Sequence, residues 1–371
     1  MQIHRHSLPS AAPGTVRELV SFHFGTPGAG PKTYVQASLH ADEIPGMLVA
    51  HYLREQFTRL DAQGDIRGEI ILVTMANPIG LGQSAHGVIQ GRFEHESGIN
   101  FNRGYHNPVP FLKTALHGRL TDDAAHNIAL IRAQARLAVG QWQTHTETDA
   151  MKKVLLGLAI DADIVLDLHC DNEAVLHLYT GTPLADAVAP LSALLGAHAV
   201  LLATESGEQP FDEACGRVWW ELAGHFPMVP IPCACLSVTV ELRGQLDVSH
   251  ALARADADAL LAFLGHAGQL AQTDGAVLAP ACQATPLAGV EPIIAPHAGV
   301  LVFHATPGQN LQVGDVVADI VDPISSDVTT LRASVAGVLF ARTMQRFVPR
   351  GGSVAKIAGA VAFRSGNLLG Q

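Results

Sequence analysis

Residues 34–60 read YVQASLHADEIPGMLVAHYLREQFTRL. The first six, Tyr34–Leu39, have the length and apolar character of a short buried strand. From Ile44 to Leu60 the apolar positions Leu48, Tyr52, Phe57 and Leu60 recur at helical spacing. Between strand and helix stand His40-Ala41-Asp42-Glu43. The same alternation continues along the chain. Strands are predicted at Glu69–Met75, Asp163–Leu168, Leu236–Leu242 and, more weakly, Leu176–Tyr179. Helices are predicted near 122–142, 149–160, 184–195, 212–223 and 250–264. Near-continuous apolar strands alternating with helices predict an α/β fold, a mixed and largely parallel central sheet with flanking helices.

The long stretch Pro78–Pro110 is rich in Gly, His and Asn, has no period, and reads as a loop of functional length. After about Gly275 helical periods vanish. Gly299-Val300-Leu301 matches Gly337-Val338-Leu339 at an offset of 38 residues, and Gly314, Val316 and Val317 match Gly352, Val354 and Ala355. Two similar β halves predict a small C-terminal all-β domain, barrel- or sandwich-like, with a two-fold internal repeat. The expected division is 1–274 and 275–371.

The 371 residues carry a net charge of −11 and are 48% hydrophobic, so the chain is globular with ample core. An acidic chain without a basic run argues against nucleic acid or an anionic membrane as partner. The membrane-span candidate Val154–Cys170 is interrupted by Asp161, Asp163 and Asp167. The opening MQIHRHSLPS lacks the apolar centre of a secretory signal. Five scattered cysteines with no CxxC pair suggest neither a disulfide framework nor a cysteine metal site. A cytoplasmic location is expected.

His40 and Glu43 can reach one point if the chain turns sharply between them, and His169, after the strand ending Asp167-Leu168, supplies a third ligand at a strand C-terminus. Asp167 shares a strand face with His169 and could fix its tautomer. Taken singly, each could be an ordinary satisfied polar residue. In Gly98-Ile99-Asn100-Phe101-Asn102-Arg103, the Arg103 fork and the Asn102 amide could clamp a carboxylate, with Arg92 assisting; a solvated loop arginine is the plainer reading. Glu241 ends the run Leu236–Leu242, either as a general base and acid or as a strand-end carboxylate reaching water.

The ordered set HxxE, Asn77-Pro78-Ile79-Gly80, NxNR, Asp-Leu-His and a strand ending in Glu resembles the succinylglutamate desuccinylase/aspartoacylase family, a branch of the zinc carboxypeptidase-like superfamily. The motifs cover about residues 33–243, and the bacterial members' two-part β tails are similar to this one. The resemblance implies one zinc ion per chain on His40, Glu43 and His169, carboxylate recognition by Asn102 and Arg103, and a base at Glu241. Arg92 is expected to assist the carboxylate recognition or to stabilise the oxyanion, and the family's aspartoacylase-like members carry another arginine near the Asn-Arg pair. Where aspartoacylase-like members carry that residue this chain reads His95-Glu96-Ser97, and Arg92 is the nearest arginine. The implied activity is hydrolysis of a small N-acyl amino acid or similar amide, the expected partner being that small molecule, with a homo-oligomer compatible with the chain. A metallocarboxypeptidase and a non-catalytic zinc-binding module are the alternatives. The tail also resembles biotinyl/lipoyl-like domains, yet the stretch between its halves, Asp322–Thr330, has no lysine to modify.

Overall fold

The computed structural model describes residues 1–271 and 279–369. The expected division at 274/275 lies outside the described residues. A nine-stranded sheet runs through the molecule in the order Gln2–Ser7, Glu18–Gly25, Glu69–Val73, Lys32–Ala37, Ile164–Asp171, Leu236–Gly244, His177–Gly181, Ala199–Ala203 and Ala284–Pro286. Among the described residues five of its eight pairings are parallel; the N-terminal hairpin, its junction with Glu69–Val73, and the pairing of Leu236–Gly244 with His177–Gly181 are antiparallel. The sheet is therefore mixed and largely parallel.

Helices cover both faces, as a sheet with apolar residues on each side requires. Pro45–Gln63, Ala185–Leu195 and His250–His266 bury Leu53, Phe57, Val188, Leu191, Leu260 and Phe263 on one side. Val109–Ala115, Ala124–Gln141, Glu147–Ala159 and Phe211–His225 bury Leu112, Ile131, Met151, Leu155, Phe211 and Trp219 on the other. Local chemistry sets the helix ends. Pro45 opens its helix where a missing N–H costs nothing, and Gly64 closes it in the left-handed region at φ 76°. Thr146 and Asp149 form a capping box at the start of Glu147–Ala159, moving that start two residues ahead of the expected one.

The C-terminal residues extend the central sheet and also leave it. Ala284–Pro286 pairs in parallel with Ala199–Ala203. From Val290 onward the named elements are strands in two further sheets, packed on one apolar cluster that includes Ile293, Leu301, Val317, Ile320, Leu339, Val354 and Ile357. The hairpin of Gly299–Phe303 with Val316–Val321 lies in one sheet, and that of Gly337–Arg342 with Ser353–Gly359 in the other. Glu173–Ala174, just beyond the strand Ile164–Asp171, pairs with Gly337–Arg342 and joins the two parts. Among the described residues no helix is long and apolar enough to cross a membrane.

Candidate metal and active site

The ligand turn starts where Lys32–Ala37 ends. Ser38 takes a left-handed backbone, φ 64°, which a non-glycine residue adopts only under constraint. Asn77 supplies that constraint: its amide nitrogen donates to the Leu39 carbonyl at 2.8 Å, while its oxygen accepts from Gly80 N–H at 2.7 Å. The Asn-Pro-Ile-Gly motif thus clamps the turn that aims His40 and Glu43 inward. Helix Pro45–Gln63 then lies close over the sheet: a Cβ at Gly46 would stand 3.0 Å from the Leu168 carbonyl.

His169 arrives from the centre of the sheet. Its strand runs to Asp171, beyond the expected end at Leu168, so His169 sits within the paired strand, directly opposite Glu241 in register. His40, Glu43 and His169 are buried, and their donor atoms lie within 4.8 Å of one another. Glu43 bridges the histidines, Oε1 2.8 Å from His40 Nδ1 and Oε2 2.8 Å from His169 Nδ1, and accepts Cys170 N–H at 3.0 Å. Of the far ring nitrogens, His40 Nε2 lies 2.8 Å from Asn100 Oδ1, whereas His169 Nε2 stands 3.0 Å from Asp167 Oδ2 without forming a hydrogen bond. Asp167 is itself held by Gln36, whose Nε2 donates at 2.9 Å.

This donor set fits a metal ion. His40 Nε2–H donating to the Asn100 oxygen leaves a lone pair on Nδ1, which points at the Glu43 carboxylate. Lone pairs and a carboxylate converging in a buried space call for a cation between them. Two imidazoles and a carboxylate are the ligand chemistry of a catalytic zinc site. The titration directions reflect the crowding. Burial, with Arg92 nearby, lowers His40 to about 4. For Glu43 burial works upward, but the two histidines outweigh it and hold the carboxyl well below its usual value. For His169 burial works downward and is overcome by Asp167 and Glu43.

Glu241 follows on the neighbouring strand. Its Oε2 is sealed from solvent and has no hydrogen-bond partner. Burial first, then the like charge of Glu43, raises it to about 8. An unpaired carboxyl oxygen in such a place is costly unless it has work to do.

The long loop brings Arg92 to the ligands. Its guanidinium donates to Glu43 Oε1 at 3.1 Å, and the side chain stays 41% exposed. Gly91 makes the approach feasible: a Cβ there would fall 2.2 Å from Asp42 N, and Gly91 O accepts Ala41 N–H at 3.0 Å. Asn102 and Arg103 are both buried. The Asn102 oxygen accepts Phe211 N–H at 2.8 Å, tying the loop to the start of helix Phe211–His225. Arg103 donates to the Asn102 carbonyl at 2.7 Å, stands 3.9 Å from Glu208, and has its own carbonyl held by Lys152 Nζ at 2.7 Å. His86 and His95 have no part in the metal cluster, and His106 stacks on Trp142. All five thiols are free.

Sequence reasoning passed over two contributors. Asn100, quoted within its motif, orients His40. Lys356, from the last strand, donates to Asp171 at 2.6 Å; burial opposes the Asp171 charge, yet this ammonium lowers the carboxyl to about 2. Arg342 and Arg346 hold Glu173 beside it. No local pattern announces these partners, because each pair is far apart in sequence.

Residues 29–267 match the model of the succinylglutamate desuccinylase/aspartoacylase catalytic domain. The chain belongs to this family. Its members are deacylases, and hence hydrolases. No curated protein matches the chain in sequence. The structure is similar to that of a succinylglutamate desuccinylase/aspartoacylase family protein of Shewanella amazonensis, at 25% identity and TM-score 0.84, covering 96% of this chain and 98% of that one. It is also similar to a protein of the same description from Shewanella frigidimarina, at 24% identity and TM-score 0.83, covering 96% and 97%. The ectoine utilization protein EutE (DoeB) of Ruegeria pomeroyi, whose structure is product-bound, shares the fold at 17% identity and TM-score 0.67, with 96% and 95% covered. These likenesses span both the family's catalytic domain and the C-terminal strands.

Proposed function

We propose that this chain is a zinc-dependent deacylase that hydrolyses the amide bond of a small N-acyl amino acid in the cytoplasm. The observation that carries the reading is the buried His40–Glu43–His169 cluster with the unpartnered Glu241 carboxyl opposite His169 in register. His40, Glu43 and His169 would hold the ion, which when bound lowers the pKa of a coordinated water and polarises a carbonyl. Glu241 takes the proton of the attacking water and returns it to the departing amine; its raised pKa lets the same carboxyl do both near neutrality. Arg92, exposed beside Glu43, donates to the developing oxyanion. Arg103 grips a carboxylate of the substrate, and Asn102 holds that arginine's loop against helix Phe211–His225. The C-terminal strands, a β domain of two similar halves, wall the site through Lys356, Arg342 and Arg346.

The test is a panel of N-acyl amino acids beside short peptides, each with zinc and after chelation. Hydrolysis of the acyl amino acids that disappears on chelation and returns with zinc is the expected result. Turnover confined to peptides, or indifferent to chelation, would overturn the reading. The Arg103 role is read from Arg103→Lys on one acyl amino acid and its carboxyl-neutral amide. Loss of a bidentate pair costs roughly 2–5 kcal/mol in kcat/KM for the acid, and much less for the amide.

A further inference from the structure

One helix pins both arms of the long site loop. Residues 92–103 close on themselves: Phe101 N–H donates to the Arg92 carbonyl at 3.1 Å, and Glu94 N–H to the Ile99 carbonyl at 2.9 Å. Arg92 thus stands on one arm, and Asn100, Asn102 and Arg103 on the other. Helix Glu147–Ala159 reaches each arm with one buried side chain, Thr148 and Lys152, four residues apart and so on one face of the helix. Thr148 donates to the Glu94 carboxylate. Lys152 donates from Nζ to the Arg103 carbonyl at 2.7 Å.

A lysine is an unusual group to hold a carbonyl in such a place. Lys152 is 2% exposed, and its ammonium has three protons to direct. Among the described residues one of them meets an oxygen, and the other close neighbour is the Tyr105 ring, its centroid 5.8 Å from Nζ. A buried charge with so few partners destabilises the fold, and a neutral donor would satisfy the same carbonyl. Burial outweighs the nearby Asp149 and Glu94 and lowers the ammonium to about 8, which leaves it charged at neutral pH.

The peptide that Lys152 holds is engaged on both sides. The Arg103 carbonyl and the Gly104 N–H belong to one trans peptide and point opposite ways. Gly104 N–H donates to the Glu208 carbonyl at 2.7 Å, and Tyr105 N–H to the Gln209 carbonyl at 3.2 Å. A continuous line therefore runs from Lys152 through the Arg103–Gly104 peptide to the segment that leads into helix Phe211–His225. Hydrogen bonds in series polarise one another, and a charge at the head of the line strengthens it where water is excluded. Glu208 holds a left-handed backbone, φ 58°, which persists only where the surroundings fix it. Its carboxylate stands 3.9 Å from the Arg103 guanidinium, so the line ends beside the side chain whose root it grips.

We propose that Lys152 is the positioning residue of the Arg103 fork, its ammonium fixing the peptide from which that side chain springs so that the guanidinium is aimed before substrate arrives. The proposal rests on the deacylase reading, in which Arg103 grips a carboxylate of the substrate. A fork already in place loses less freedom on binding than one the substrate must order. Lys152 acts through Arg103, so its effect falls on binding of the carboxylate and not on the chemical step.

The test compares wild type and Lys152→Met, which keeps the length of the side chain and removes the ammonium, on one acyl amino acid and its carboxyl-neutral amide. KM for the acid is expected to rise about tenfold with kcat nearly unchanged, and KM for the amide to stay near its wild-type value. Arg103→Lys/Lys152→Met should be no worse on the acid than Arg103→Lys alone, since the fork being aimed is already gone. Equal KM shifts on acid and amide, or losses that add in the double variant, would reduce Lys152 to a structural support and overturn the proposal. Lys152→Gln retains an N–H donor without the charge and carries the same comparison, with a smaller shift expected, if Lys152→Met does not fold. A second measurement needs no turnover. The Arg103 Nε–H resonance, assigned by its loss in Arg103→Lys, should exchange with water about tenfold faster in Lys152→Met. Unchanged exchange would overturn the proposal. Absence of hydrolysis by the wild type would count against the deacylase reading alone, because the exchange rate reads Lys152 directly.

Discussion

On one face of the central strands lie Val35, Ala37, Leu166, Leu168, Leu178, Val238 and Val240; on the other, drawn from alternate positions of the same strands, lie Gln36, Asp167, His169, His177, Tyr179, Thr239 and Glu241. The two sets share one backbone, one register and one hydrogen-bond ladder. What differs is the side chain, and therefore the sign of its contribution. Each valine or leucine on the first face contributes about 1.5–3 kcal/mol on burial. The second face holds carboxyls and imidazoles in places where an unpaired polar group costs about 1–3 kcal/mol. The Oε2 of Glu241, the Nε2 of His177 and the Oδ2 of Asp167 are buried there without hydrogen-bond partners. A sheet strong on one side can carry an energetically poor arrangement on the other, which is where reactive groups can be kept.

This contrast can be broken by experiment. The largest effect is expected from Glu241→Gln on the polar face: a fall in kcat on the order of 10²–10⁴, with zinc content and Tm retained. Turnover close to wild type would reduce the polar face to a layer of satisfied side chains. Next comes Leu168→Ala on the apolar face, one residue before a proposed ligand. It should cost about 2–5 kcal/mol in denaturant unfolding, with kcat of the folded protein unchanged. Loss of zinc without loss of stability would show that the two faces are not separable.

The smallest effect sharpens the comparison through pH. Asp212, on the helix that roofs the polar face, is buried beside Glu213 and Asp167, and burial first, then those charges, raises it to about 7. Below about pH 4 the carboxyl is protonated in both folded and unfolded chains. Between about pH 4 and 7 only the folded chain keeps the proton, so stability falls as pH rises through that window. Asp212→Asn should therefore match the wild-type Tm at pH 4 and exceed it by a few degrees above pH 7. An equal difference at both values would detach Asp212 from the charges of that face.

The polar face was largely legible in the sequence because its key groups stand in or just after the last residues of strands, toward their C-terminal ends, beside motifs a few residues long. HxxE, Asp-Leu-His and the terminal Glu241 needed only the alternation of strand and helix to be brought together. The N-terminal hairpin escaped because His4, Arg5 and His6 interrupt any apolar run, although Leu19, Phe22 and Phe24 on its second strand are buried. Two elements were not expected: Ala199–Ala203 lies beyond the helix read at 184–195, and Val109–Ala115 begins where the loop read at Pro78–Pro110 ends. The couplings Asn100 to His40, Lys152 to Arg103 and Lys356 to Asp171 left no signal, since each depends on how distant segments are stacked. Asn102 shows the converse limit: its type and spacing suited a substrate clamp, while its oxygen is engaged with the backbone of Phe211.

The salt link between Lys356 and Asp171 also gives the molecule a history. A ribosome delivers the chain from its first residue to its last, so His40, Glu43, His169 and Glu241 all emerge while the final strand Ser353–Gly359 is still unmade. For the last third of synthesis the nascent protein carries its proposed ligands with one wall missing and the Asp171 carboxylate exposed to water. That carboxylate gains its ammonium partner only when Lys356 arrives. An enzyme assembled in this order is sealed last at its rim, and a chain released early would hold the metal cluster in an unfinished mouth.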